Sequence, residues 1–351
     1  MVQTYDIAAS YRANYDAGPQ FSDPPPEIPE TPLKTFLGIP VRSRIGIAAG
    51  LLLNSKWITG YARHGFDILT YKTVRSAYRP CYEKPNWVFV DGDGSSEGPV
   101  YAITEPPADP IQITSAVCFG MPSMDPTEWR ADIARAKSEL NHGQVLIVSV
   151  VATPGKTATV IDVAADFARC AHWATEAGAD VIEANFSCPN VCTPEGTIYQ
   201  DPRLSRSIAE QIRAKIGTAK LLLKVGHFRT KSGLEEFLIQ MNGVVDGITL
   251  VNGISRPVLH RDGTPVFGED YVKAGVLGRA IHEPSVANVR DAGGIIAAHS
   301  LNLEIVAVGG ISKNEDMADF FDAGAGAVLM GSSPMYLPRL AVDAKLAHPN
   351  W

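Results

Sequence analysis

The sequence predicts an α/β protein, a (β/α)8 barrel with insertions over the C-terminal face of its strands and a proline-rich N-terminal extension. Three observations predict it. Eight short apolar runs alternate with helix-forming stretches, the last two runs end in glycine clusters, and the two overlong gaps both follow a strand's end. The runs are "IGIAAG" (45–50), "ILTYK" (68–72), "VLIVSV" (145–150), "DVIEANF" (180–186), "LLLKVG" (221–226), "GITLVNG" (247–253), "EIVAVGG" (304–310) and "AVLMGS" (327–332). Runs this apolar, without alternation, fit strands covered on both faces, hence a parallel sheet. Eight such strands, each followed by a helix, make the barrel the natural count. An open doubly wound sheet is the alternative, but no G-x-G-x-x-G follows the first strand.

Taken in order, residues 1–36 read as an extension and 37–351 as the barrel domain. "GPQFSDPPPEIPETPL" (18–33) is too rich in proline for regular structure. "VIDVAADFARCAHWATEAGA" carries Val163, Phe167, Cys170, Ala171 and Ala174 at helical spacing and stops at glycine. "RLSRSIAEQIRAKIG" and "SGLEEFLIQMNG" end the same way. Gaps at about 73–143 and 253–303 are too long for plain connections and need substructure of their own. In a barrel, both lie over the active face. "VLHRDGTPVFG" (258–268) reads as a hairpin turning at Asp-Gly, and "DGDGSSEG" (91–98) as a turn rather than a calcium loop.

Composition narrows the function. The 351 residues are 45% hydrophobic and 20% charged, with a formal net charge of −7. An acidic chain without Lys/Arg runs has no general attraction to nucleic acid or anionic membrane. The N-terminus lacks a signal peptide's apolar core, and no apolar run is long enough to cross a bilayer. Five cysteines (81, 118, 170, 188 and 192) form no CxxC pair. Neither a disulfide framework nor a zinc site is expected, and a cytoplasmic location is. No H-E-x-x-H spacing exists and the eight histidines are scattered, so no metal site is expected.

Several residues stand out chemically. Gly309 and Gly310, and Gly331 with Ser332, end the last two strands, where barrels often hold a phosphate on backbone amides. Lys72 and Lys224 interrupt apolar strands, although lysine is seldom buried without a partner. Asn252 ends the sixth run in the same manner. In "EANFSCPN" (183–190), Cys188 stands among hydrogen-bonding side chains at a strand end. A cysteine is usually a small buried hydrophobe, and a reactive one needs a special microenvironment.

The motifs "GIAAG" (46–50), "NFSCPN" (185–190), "LLLKVG" (221–226), "LVNGIS" (250–255), "AGVLGRAI…ANVR" (274–290), "AVGGI" (307–311) and "VLMGS" (328–332), in this order, resemble the dihydroorotate dehydrogenase family of FMN-dependent flavoenzymes. The resemblance runs from about Leu37 to about Leu340. It implies oxidation of dihydroorotate to orotate, a step of pyrimidine biosynthesis, with hydride passing to FMN. It also implies a small-molecule substrate, no nucleic-acid partner and a homodimer. Cys188 would be the general base, as in the family's soluble class, and Lys224 would sit beside the flavin. Ala48, Ala49 and Gly50 would pack on the flavin ring, which Lys72 and Asn185 would also contact. Gly278, Gly309, Gly310, Gly331 and Ser332 would hold the phosphate and ribityl chain. Asn185, Asn190, Asn252 and Lys72 would bind the substrate. Two positions depart from the family. An asparagine expected in "SAVCFGMPS" (115–123) is Val117, and the Ser or Thr expected after Asn252 is Gly253. These departures keep open the same flavin chemistry on another dihydropyrimidine or cyclic carbonyl compound. From the residues alone, a barrel that binds a phosphorylated metabolite without redox chemistry is also open.

Overall fold

Eight parallel strands close in chain order: β1 (Ile45–Ile47), β2 (Ile68–Val74), β3 (Val145–Val150), β4 (Val181–Asn185), β5 (Lys220–Lys224), β6 (Gly247–Leu250), β7 (Glu304–Val308) and β8 (Ala327–Met330). β8 pairs back on β1, with Leu329 opposite Gly46, so the sheet has no open edge. All eight coincide with the apolar runs of the sequence. The computed structural model describes residues 3–92, 97–155, 157–187 and 194–351, and the side chains of all of these except 194–196.

Local chemistry sets the helix boundaries. Asp125 and Asp201 cap the helices Pro126–Glu139 and Pro202–Ile216, each with proline in the first turn, where its missing N–H costs nothing. Thr159 and Asp162 form a reciprocal capping box on Val160–Glu176. Of that helix's expected apolar stripe, Phe167, Cys170, Ala171 and Ala174 are fully buried and Val163 is half-buried. The barrel interior is filled by side chains such as Ile147, Val181, Leu222, Val306 and Leu329, and a hairpin, Lys34–Phe36 with Ile39–Val41, packs Phe36 and Val41 into the same cluster. Fully burying such a side chain is worth about 1.5–3 kcal/mol. The upper part of the interior is polar. There Thr249 donates to the fully buried Glu183 carboxylate at 2.9 Å, and Thr73 and Ser149 bond at 3.0 Å.

The two long gaps hold a second sheet. Strands Trp87–Asp91, Val100–Ile103 and Thr114–Val117 from the first gap join Ile254–Leu259 and Lys273–Gly278 from the second. The sheet has its own core, centred on Val90, Ala116, Ile254 and Val276. The hairpin expected at 258–268 turns at Asp262-Gly263, with His260 N–H donating to Thr264 and a bridge from Leu259 to Pro265. Residues 93–96 of the 91–98 turn lie outside the described residues.

The N-terminal segment is more than a lead-in. Residues 18–33 are irregular, but a short helix, Tyr11–Ala17, capped by Ser10, precedes them. Tyr5, Tyr11 and Tyr15 are buried in the main core. Trp57 Nε1 and Asn54 Nδ2, on the segment after β1, donate to the carbonyls of Asn14 and Tyr15 and hold this helix in place.

Candidate active site

The C-terminal ends of the strands open into one elongated cleft beneath the inserted sheet. Alternation along a strand brings the lysines there. On β5, Leu222 fills the interior, so Lys224, two residues on, points the same way one layer higher. Lys224 is 3% exposed and lies at the middle of the cleft with Ala49, Asn252, Gly331 and Ser332. One end is made by Ala48, Gly278, Gly309 and Gly310. The other is made by Gly50, Lys72 and Asn185. Twelve of the fourteen residues singled out in the sequence therefore line one cleft. The other two, Cys188 and Asn190, lie outside the described residues.

The asparagines are held by one another and by the backbone around them. Asn185 Oδ1 accepts from Ser187 N–H at 3.1 Å and from Asn252 Nδ2 at 3.4 Å. Asn252 also donates to the Ser187 carbonyl and accepts from Gly253 N–H at 2.9 Å. The backbone extends the barrel ladder beyond the strands to position them: Phe186 N–H donates to Lys224 and Asn252 N–H to Val225. Both amides are thereby oriented at the cleft, each able to present a donor and an acceptor.

The chemistry of the lining fits a planar, phosphorylated, redox-active ring system. A Cβ at Gly331 would meet nothing of the protein, so its backbone faces open cleft, as an anion-binding turn requires. A buried lysine at mid-cleft supplies fixed positive charge. Among the described cysteines, burial pushes the thiols of Cys81 and Cys170 up, the wrong direction for a proton acceptor.

The sequence profile described as dihydroorotate dehydrogenase matches residues 118–344. A dihydroorotate dehydrogenase of Dictyostelium discoideum is 32% identical over 96% of this chain and 95% of that protein. The chain belongs to the dihydroorotate dehydrogenase family. The catalytic subunit of dihydroorotate dehydrogenase B (NAD(+)) from Methanocaldococcus jannaschii is 25% identical over 88% of this chain and 89% of its own. In fold, the chain resembles a crystal structure of DHODH from Eimeria tenella in complex with ferulenol, with a TM-score of 0.69 at 17% identity over 89% of this chain and 82% of that one. Members of the dihydroorotate dehydrogenase family are FMN-dependent oxidoreductases.

Against that family's pattern, both departures have a place in the structure. Val117 pairs with Gly275 and Trp87 in the inserted sheet and lines the cleft. At Gly253 a Cβ would come within 3.2 Å of the Val276 carbonyl and 3.4 Å of Gly275, so the close approach of the inserted strand favours glycine. The sequence reading missed an aromatic wall around Val117. Tyr5, Tyr11, Trp87 and Phe119 line the same end of the cleft, with the Tyr5 and Trp87 rings stacked at 5.8 Å. No periodicity could reveal it, because the rings come from three separate segments. No helix among the described residues is long and apolar enough to cross a membrane.

Proposed function

We propose that this protein oxidises dihydroorotate to orotate, with FMN in the cleft and Cys188 as the base. The observation that carries the reading is the convergence of Lys72, Lys224, Asn185 and Asn252 with the glycine-rich turns in one cleft. When bound, FMN supplies a hydride acceptor. Gly278, Gly309, Gly310, Gly331 and Ser332 would hold its phosphate and ribityl chain by backbone amides and the Ser332 hydroxyl. Ala48, Ala49 and Gly50 would leave room for the flat ring, with Lys72 in contact. Lys224 would offer a preorganised cation to the ring's carbonyl-bearing end.

For the substrate, Asn185 and Asn252, with Asn190 five residues further along the chain than Asn185, would pair with the amide and carbonyl groups of the pyrimidine ring. Removal of a hydride from one carbon needs loss of a proton from its neighbour, the carbon next to a carbonyl. Cys188 follows Ser187, whose N–H is bonded to Asn185, and this supports a thiol beside the bound ring. The thiolate would be the form that accepts this proton, and with an ordinary thiol pKa of about 8.5 it forms far more readily near neutral pH than an alkoxide does. The family resemblance also supports a cytoplasmic homodimer, checked by light scattering for a mass of two chains.

The deciding experiment is anaerobic. The purified protein is expected to show an oxidised-flavin spectrum that dihydroorotate bleaches. The aromatic wall and Val117 favour one second reading, the same flavin chemistry on a less polar cyclic amide. Bleaching by dithionite but not by dihydroorotate would select it, and a colourless protein that FMN cannot reconstitute would defeat both.

A further inference from the structure

Behind the glycine-rich end of the cleft lies a charged cluster that takes no part in the proposed chemistry. His282, 3% exposed, opens the helix His282–His299. Its Nδ1 lies 3.3 Å from the Gly309 carbonyl oxygen, and its Nε2 lies 3.0 Å from Asp319 Oδ2. It also packs directly against the turn. Gly310 has φ +65°, and a Cβ there would lie 2.8 Å from His282 Cβ, His282 N and the Gly278 carbonyl oxygen. His282 thus packs on the turn after β7 at the point where Gly310 also approaches the Gly278 carbonyl, at the end of the inserted strand Lys273–Gly278.

The hydrogen bonds give the ring a direction. A carbonyl oxygen only accepts, so the contact with Gly309 calls for a hydrogen on Nδ1 of the ring. The charged groups facing it are Asp316 and Asp319, both from the helix Asn314–Asp322; the edge of Phe320 covers its side. Asp316 is already engaged, accepting from Arg279 and from Ser312 N–H at 2.8 Å each, so Arg279 reaches His282 only through it. That engagement, with a guanidinium at the carboxylate, argues against the cluster as a metal site.

We propose that His282 is a positioning residue for the phosphate end of the cleft: through Nδ1 it holds the Gly309 carbonyl and aims the amides that follow toward the flavin phosphate. The inference rests on the reading of this end as the FMN phosphate site. Its test compares FMN with riboflavin, the same ring system without the phosphate, in titrations of the apoprotein. In the wild type, FMN should bind more tightly than riboflavin by about tenfold or more, because only FMN carries the group that the turn's amides meet.

His282→Leu should lower the preference by about tenfold with riboflavin affinity unchanged, and His282→Asn, whose amide can still donate to the Gly309 carbonyl, should restore most of it. Equal losses of FMN and riboflavin in His282→Leu, or no rescue by His282→Asn, would reduce His282 to a packing residue and overturn the inference. A wild type that binds neither flavin would overturn the cofactor reading, and this inference with it.

Discussion

The proposed reaction rests on single residues, and two of them can be tested apart. Cys188→Ala should slow flavin reduction by dihydroorotate by at least about a hundredfold, within the usual range for loss of a general base. Stopped-flow absorbance under anaerobic conditions reads this directly, and equal rates would remove Cys188 from the mechanism. Lys224 acts on a different quantity. It is buried at mid-cleft on a rigid strand, so Lys224→Ala should weaken FMN binding by about tenfold or more through loss of one buried cation. Equilibrium dialysis checks it, and unchanged flavin content would contradict the role. Both residues stand out in the sequence because a lysine in an apolar strand and a thiol among asparagines break local rules, and the family resemblance supplies the role expected of each. Gly253 shows the limit. The resemblance leads to Ser or Thr there, and only the structure shows the neighbouring strand whose close approach favours glycine.

At the scale of elements, the N-terminal segment is the piece whose importance its composition hides. Proline-rich sequence marks 18–33 as irregular, and it is, yet the residues before it reach the cleft. Thr4 N–H donates to Met335, and the Thr4 hydroxyl bonds Tyr61 OH at 2.5 Å, fastening the segment beside β8 and the helix Ser55–Ala62. Tyr11, buried against Tyr15 and Phe119, is the anchor. Tyr11→Ala should cost about 3–5 kcal/mol in urea denaturation, as removal of a large buried aromatic does. A cost below about 1 kcal/mol would mean that the segment is not part of the cooperative core. The inserted sheet follows the same logic. Each gap was recognisably too long for a loop, but neither strand set has a complete hydrophobic face until the other supplies it.

The whole molecule responds to pH partly through groups at the far end of the barrel from the cleft. Glu304 opens β7 and accepts from Leu37 N–H at 2.9 Å, tying the N-terminal hairpin to the barrel. Burial, more than any partner, holds its carboxyl above the ordinary range. The folded state therefore binds this proton more tightly than the unfolded chain does. The group's contribution to stability is full below the ordinary carboxylate pKa and is lost as pH rises through the raised value. Glu304→Gln should accordingly leave stability near pH 4 unchanged and raise it near pH 7, since an amide keeps the acceptor without the buried charge. Chemical denaturation at the two pH values measures this; a variant less stable near pH 7 would show that the charge is favourable in place.

By itself, the sequence determined the barrel, its eight strands, the helices around them and most of the cleft's polar and glycine lining. Those features depend on patterns within one element: uninterrupted apolar runs, helical spacing, caps, glycines at strand ends. The tertiary structure alone decided the aromatic wall, the joining of two distant insertions into one sheet, the fit of Gly253 and the cluster around His282. Each of these is made where segments far apart in the chain meet, and a local pattern cannot encode a partner that only the closing of the barrel brings within reach.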